Sequence, residues 1–124
     1  MTEKVGDQAP YTVLNLVGAT EFLGDEQAVL DLLQPLVLSL SKDIGDIERL
    51  LDEGDMATIA RTLHSLKGFI PVFCHPELAG QLVEVEKRSR TDASAPAQAR
   101  VKALLEPLRQ LVRESTGFLQ QARH

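Results

Sequence analysis

From Asp25 onward, apolar residues recur at the three- and four-residue spacing of amphipathic helices. Val29, Leu32, Leu33, Leu36, Leu40, Ile44, Ile47, Leu50 and Leu51 fall on one face of a long first helix. Asp25 is a suitable N-cap, Glu26 sits in the first turn, and Gly54 ends the run. Pro35 lies inside it and predicts a kink, because proline removes a backbone donor and crowds the preceding turn. Asp55 can cap a second helix whose buried face reads Ile59, Leu63, Leu66, Ile70 and Phe73. Pro76 suits the first position of a third helix, which carries Leu78, Leu82 and Val85. The small residues from Thr91 to Pro96 predict a turn, with Pro96 opening a last helix. That helix has its stripe at Val101, Leu104, Leu105, Leu108, Leu111, Val112, Phe118 and Leu119. Upstream, Tyr11 to Val17 predicts a brief helix over one end of the molecule. Residues 1–10, polar and aperiodic with Gly6 and Pro10, predict a flexible N-terminal arm.

Four amphipathic helices with short connections predict an all-α fold over residues 11–124. The expected architecture is an antiparallel up-and-down four-helix bundle with a short extra N-terminal helix. Composition agrees with this. Hydrophobic residues make up 44% of the 124, enough for one core, while aromatics are 4% and Trp is absent, so Leu, Val, Ile and Ala must fill it. The net charge of −5 opposes nucleic acid as a partner, since phosphate binding needs a basic surface. The single cysteine, Cys74, cannot form an intrachain disulfide, which fits a reducing cytoplasm. The run Leu36 to Leu40 is far too short to span a bilayer, and the first residues lack the apolar core of a signal peptide. A soluble, cytoplasmic monomer without direct membrane contact is therefore expected.

The chemistry centres on His64. Successive helical residues turn by about 100°, so His64 lies roughly 200° from Leu66, off the apolar stripe. It shares its face with Ala60, Arg61, Lys67 and Gly68. A lone exposed histidine on an amphipathic helix is usually only a solvated side chain. The neighbours change that balance. The segment Ala60-Arg61-Thr62-Leu63-His64-Ser65-Leu66-Lys67-Gly68 resembles the H-x-L-K-G signature of histidine-containing phosphotransfer (HPt) domains. Phe22-Leu23-Gly24-Asp25, Leu51-Asp52-Glu53-Gly54-Asp55, Leu78 and Leu82-Val83-Glu84-Val85-Glu86 extend the similarity on both sides.

The resemblance implies that His64 accepts a phosphoryl group, and the residue types suit that task. Histidine offers a neutral nucleophilic nitrogen near neutral pH. Lys67, at i+3, can offset phosphoryl charge, and Gly68, at i+4, removes bulk where a partner approaches. Ala60, Arg61, Leu63 and Pro71 are expected to border the docking surface. The implied partners are response-regulator receiver domains, each bringing a phosphorylatable aspartate and Mg²⁺, or a hybrid sensor kinase that contains one. No cofactor or metal is expected in this chain, and no ATP-dependent kinase activity.

Departures from the family pattern follow the signature. Pro71 stands where the family has a small residue, and Cys74 where many members have glycine, so a kinked or shortened helix ending near Phe73 is expected. The H-box of histidine kinases, H-E-L-R-T-P, fits less well: Ser65 follows the histidine, and the proline comes at i+7 rather than i+5. Cys74 and His75 lack further ligands at metal-binding spacing, and His124 is terminal. Two rivals remain: a protein-interaction module of the same fold that docks a receiver or target enzyme without transfer, and an unrelated four-helix bundle.

Overall fold

The computed structural model describes residues 11–122. The arm expected over residues 1–10 lies outside them, as does His124. Five helices are present among the described residues: α1 (Leu16–Leu23), α2 (Glu26–Glu53), α3 (Met56–Lys67), α4 (Pro76–Thr91) and α5 (Ser94–Ala122), with a 3₁₀ turn at Ile70–Val72 between α3 and α4. No strand forms among the described residues; an isolated bridge pairs Leu14 with Cys74. Among those residues no helix is long and apolar enough to cross a membrane.

The boundaries follow from capping. The Asp25 side chain accepts from the Ala28 amide at 2.7 Å, and Asp55 accepts from Thr58 at 3.1 Å. Gly54 ends α2 in the left-handed region, φ 73°, and its amide donates to the carbonyls of Leu50 and Leu51. A side chain at that φ would be strained, which explains the glycine where only Gly54 and Asp55 separate two helices.

The long helices pack chiefly in a ring, α2 on α3 and α5 and α4 on α3 and α5, with a smaller contact between α3 and α5. The apolar stripes close on one another in this ring, and the expected faces are buried at Leu33, Leu40, Ile47, Ile59, Leu63, Leu66, Leu82, Leu104, Leu108 and Leu111. Leu32 is the exception, half-exposed on α2 rather than part of its buried face.

Two boundaries differ from expectation. Pro96 does not open α5, which starts at Ser94; first-turn amides have no intrahelical acceptor, so proline costs little there. Pro35 lies inside α2, which spans Glu26–Glu53 and ends at Gly54 as expected. The N-terminal helix is Leu16–Leu23, not Tyr11–Val17.

The last shift has a specific cause. Glu114 of α5 is 6% exposed, and its carboxylate collects the amides of Thr12, Val13 and Leu14 at 2.9–3.0 Å, together with the Thr12 hydroxyl at 3.0 Å. Those amides converge on a partner a hundred positions away, which holds the segment in a bend and keeps it out of the helix. Asn15 then caps α1 by accepting from Gly18 at 3.0 Å. On its other side the segment pairs with the loop after the 3₁₀ turn: Asn15 N donates to Phe73 O, and His75 N donates to Val13 O, both at 2.9 Å.

Candidate functional site

The site is built on the last turn of α3. His64 is in that turn with its side chain 65% exposed, because the Ile59–Leu63–Leu66 stripe fixes the rotation of the helix. The expectation of an imidazole facing solvent holds. Lys67, three residues on, is half-buried, and its ammonium donates to Glu86 Oε1 at 3.1 Å.

Glu86, on α4, organises this face. Arg90 Nε donates to its Oε2 at 2.6 Å, and Nδ1 of His64 lies 3.9 Å from the same oxygen. That distance is too long for a hydrogen bond yet short enough for electrostatic attraction. With Nδ1 on the Glu86 side, Nε2 lies on the opposite side of the ring. The Glu86 carboxyl is held below the usual range by the Arg90 hydrogen bond, which together with Lys67 outweighs the opposing effect of burial. Although only 6% exposed, Glu86 is paired with two cations whose side chains are themselves part-exposed. It is an ionised group set just beneath the surface beside an accessible imidazole.

The structure brings His64, Lys67 and Gly68 together but divides the expected docking border. Arg61 is exposed, with its guanidinium donating to Thr58 Oγ1 at 3.0 Å, and Pro71 is exposed at the start of the 3₁₀ turn. Leu63 is 0% exposed and belongs to the core, so it is corrected from rim to support. Adjacent helical residues point about 100° apart, which sends Leu63 inward when His64 points outward. Ala60 is also buried, at the floor of a shallow cleft lined by Ala57, Arg61, Ser89 and Arg90, because α4 covers it.

Gly68 is not in a helix interior. It caps α3, with φ −74° in the ordinary right-handed region and its amide donating to Ser65 O at 3.0 Å. The helix therefore ends at Lys67 rather than near Phe73, and the 3₁₀ turn absorbs Pro71 at its first turn, where the missing amide is tolerated. Beyond this turn a second cleft is lined by Asn15, Gly18, Phe22, Pro71 and Val72, with the Phe22 side chain 73% exposed.

Cys74 is buried, and burial pushes its thiol up to about 11, so it is an uncharged thiol and a poor nucleophile near neutral pH. Among the described residues, no group of three or more His, Cys, Asp or Glu side chains is placed to hold a metal ion.

Glu86 and Arg90 were missed from the sequence. The signal for Glu86 was its register: it lies at i+4 from Leu82 and i+8 from Leu78, so a charge falls on an apolar stripe. Such a charge needs partners, and Lys67 and Arg90 supply them.

A family model described as the Hpt domain matches residues 31–112, more than half of the chain. The matched stretch takes in His64 and Glu86 and stops short of Glu114. No curated protein and no solved structure matches the chain.

Proposed function

Because this chain belongs to the Hpt domain family, whose members carry phosphoryl groups on histidine in two-component signalling and interact with receiver domains, we propose that His64 is its phosphoacceptor. In this reading a nitrogen of His64 attacks the phosphorus of a receiver's aspartyl phosphate. The P–O bond to the aspartate breaks as the P–N bond forms, the carboxylate leaves, and the reverse step passes the group onward. The observation that carries the reading is the exposed imidazole beside a buried, cation-paired carboxylate. Glu86 attracts the Nδ1 side of the ring, which leaves Nε2 as the nitrogen presented for transfer. Lys67 and Arg90 offset the charge of an arriving phosphoryl group.

Gly68 provides clearance at the helix end, and Arg61 and Pro71 border the docked receiver, with Ala60 and Leu63 supporting that surface from beneath. A stable protein interface buries about 800 Å² per partner. The exposed residues of α3 are too few for that, so the receiver also covers neighbouring surface, including the Phe22–Pro71–Val72 cleft. The four long helices are inferred to run antiparallel, up and down, with α1 as the short extra helix. The chain acts as a carrier without kinase activity of its own. It needs no cofactor; the receiver brings Mg²⁺. A cytoplasmic monomer, free-standing or part of a hybrid kinase, completes the proposal, and the net charge of −5 argues against nucleic acid as partner.

The test is transfer from a panel of ³²P-labelled receivers to the wild-type chain and to His64→Gln. Acid-labile, base-stable label on the wild type alone is expected. Receiver binding that persists in both, with no label on either, would instead establish a docking module that does not transfer.

A further inference from the structure

We propose that Glu114 is a positioning residue for receiver docking: it latches the Tyr11–Asn15 segment as a strap that fixes α1 and the cleft beside the His64 face. The inference rests on the phosphocarrier reading for its partner, but the latch itself stands on separate geometry, outside the stretch matched by the family model.

The strap is held from two sides. Glu114 accepts from Thr12 N, Thr12 Oγ1, Val13 N and Leu14 N, and Gln110 Nε2 donates to it at 2.8 Å. The other edge of the strap pairs with Phe73 and His75 in the loop after the 3₁₀ turn. A single carboxylate on α5 thus determines where the chain enters α1, and Asn15 passes that position on through its cap at Gly18. α1 in turn packs on α2 and on the 3₁₀ turn, and the cleft it forms there joins Phe22 to Pro71 and Val72. Pro71 follows the end of the His64 helix by four residues, which sets the cleft next along the chain from the proposed docking face. The Phe22 ring is held out at 73% exposure on an element that the strap anchors, a poor arrangement for a residue whose only task is the core.

Cys74 provides a built-in reporter. It is buried and its backbone bridges to Leu14 of the strap, so lifting the strap should open its surroundings and raise its reactivity.

Glu114→Gln keeps the size of the side chain but replaces one acceptor oxygen with a donor amide that opposes the Thr12 amide and reverses the bond to its hydroxyl. In the full chain this variant should remain helical by circular dichroism while Cys74 reacts about tenfold faster with Ellman's reagent. KM for a phosphorylated receiver should rise several-fold with kcat unchanged. Labelling of His64 by phosphoramidate, a small donor that needs no docking surface, should proceed at the wild-type rate. Thr12→Val, which loses the hydroxyl bond alone, should move Cys74 reactivity and KM in the same direction by less. Unchanged Cys74 protection in Glu114→Gln would overturn the latch, and so would a fall in kcat and phosphoramidate labelling together with KM. Failure of the wild type to take label from either donor would defeat the phosphocarrier reading, and Cys74 reactivity would still decide the latch.

Discussion

Two buried carboxylates serve this molecule in opposite ways. Glu86 and Glu114 are each 6% exposed, yet Glu86 is satisfied by the cations Lys67 and Arg90, whereas Glu114 is satisfied by three backbone amides, a hydroxyl and an amide side chain. The partners of Glu86 are long, part-exposed chains that can swing to another anion and be replaced by water. Three of those of Glu114 are backbone amides, fixed by the course of the chain. The difference separates a surface arranged to receive a negatively charged group from a clamp arranged not to move. Charge near His64 remains adjustable, while the strap is held by neutral donors that have no second task.

The comparison breaks first at stability. Glu114→Ala orphans the amides of Thr12, Val13 and Leu14 and is expected to cost about 3 kcal/mol. Glu86→Ala frees only cations that can reach solvent and is expected to cost about 1 kcal/mol or less. Urea unfolding of the two variants measures this directly, and equal losses would erase the distinction.

Acid sharpens it. Burial raises the Glu114 carboxyl, but hydrogen bonds from Leu14, Gln110, Thr12 and Val13 outweigh it, and the group lies below the usual carboxylate range. Glu86 is lowered as well, chiefly by Arg90. A depressed folded value means stabilisation that is complete above the unfolded value of about 4.3 and lost as pH falls through the folded one. Urea midpoints should therefore fall in acid below that point. The decline should be shallower in Glu114→Gln, and Cys74 should become reactive towards 4,4′-dithiodipyridine over the same range. Tyr11, whose hydroxyl is raised by burial and by the nearby Glu114, remains neutral throughout and does not contribute.

Smaller effects belong to the His64 face. Lys67→Ala should slow receiver-dependent phosphorylation about tenfold without abolishing it, since one charge-assisted hydrogen bond to the phosphoryl group is worth roughly 1.5 kcal/mol. An undiminished rate in rapid-quench transfer would remove Lys67 from the mechanism. Gly68→Ala should be the mildest in stability, within about 0.5 kcal/mol. Its φ suits alanine, and the new Cβ would meet only Ser65 O at 3.2 Å. Weaker receiver affinity in a titration of this variant would show that the glycine serves the partner; unchanged affinity would assign it to the helix end alone.

The sequence was most legible where local physics decides. Three- and four-residue spacing revealed the buried faces, and Asp25, Gly54, Asp55 and Pro76 marked helix ends because capping involves only near neighbours. His64 stood out by its register and its company. The strap did not, because the acceptor for Thr12, Val13 and Leu14 lies on another helix, and local propensity carries no trace of it. A clue did exist. Glu114 lies at i+3 from Leu111 and i−4 from Phe118, on the apolar stripe of α5, where a charge must find buried partners. Glu86 showed the same sign on α4. Leu63 was expected on the docking border although the helical spacing already put it on the buried face, and the buried face is where it lies.

The most direct test of the central claim is to locate the phosphoryl group itself. After incubation with a phosphorylated receiver, trypsin cleavage after Arg61 and Lys67 releases Thr62–Lys67, which contains His64 and separates it from His75. Digestion at mildly alkaline pH followed by mass spectrometry should find an acid-labile phosphoryl group on that peptide, localised to His64. Phosphate on the peptide holding His75, acid-stable phosphate on Ser65, or a receiver that loses its phosphate while the chain gains none would contradict it.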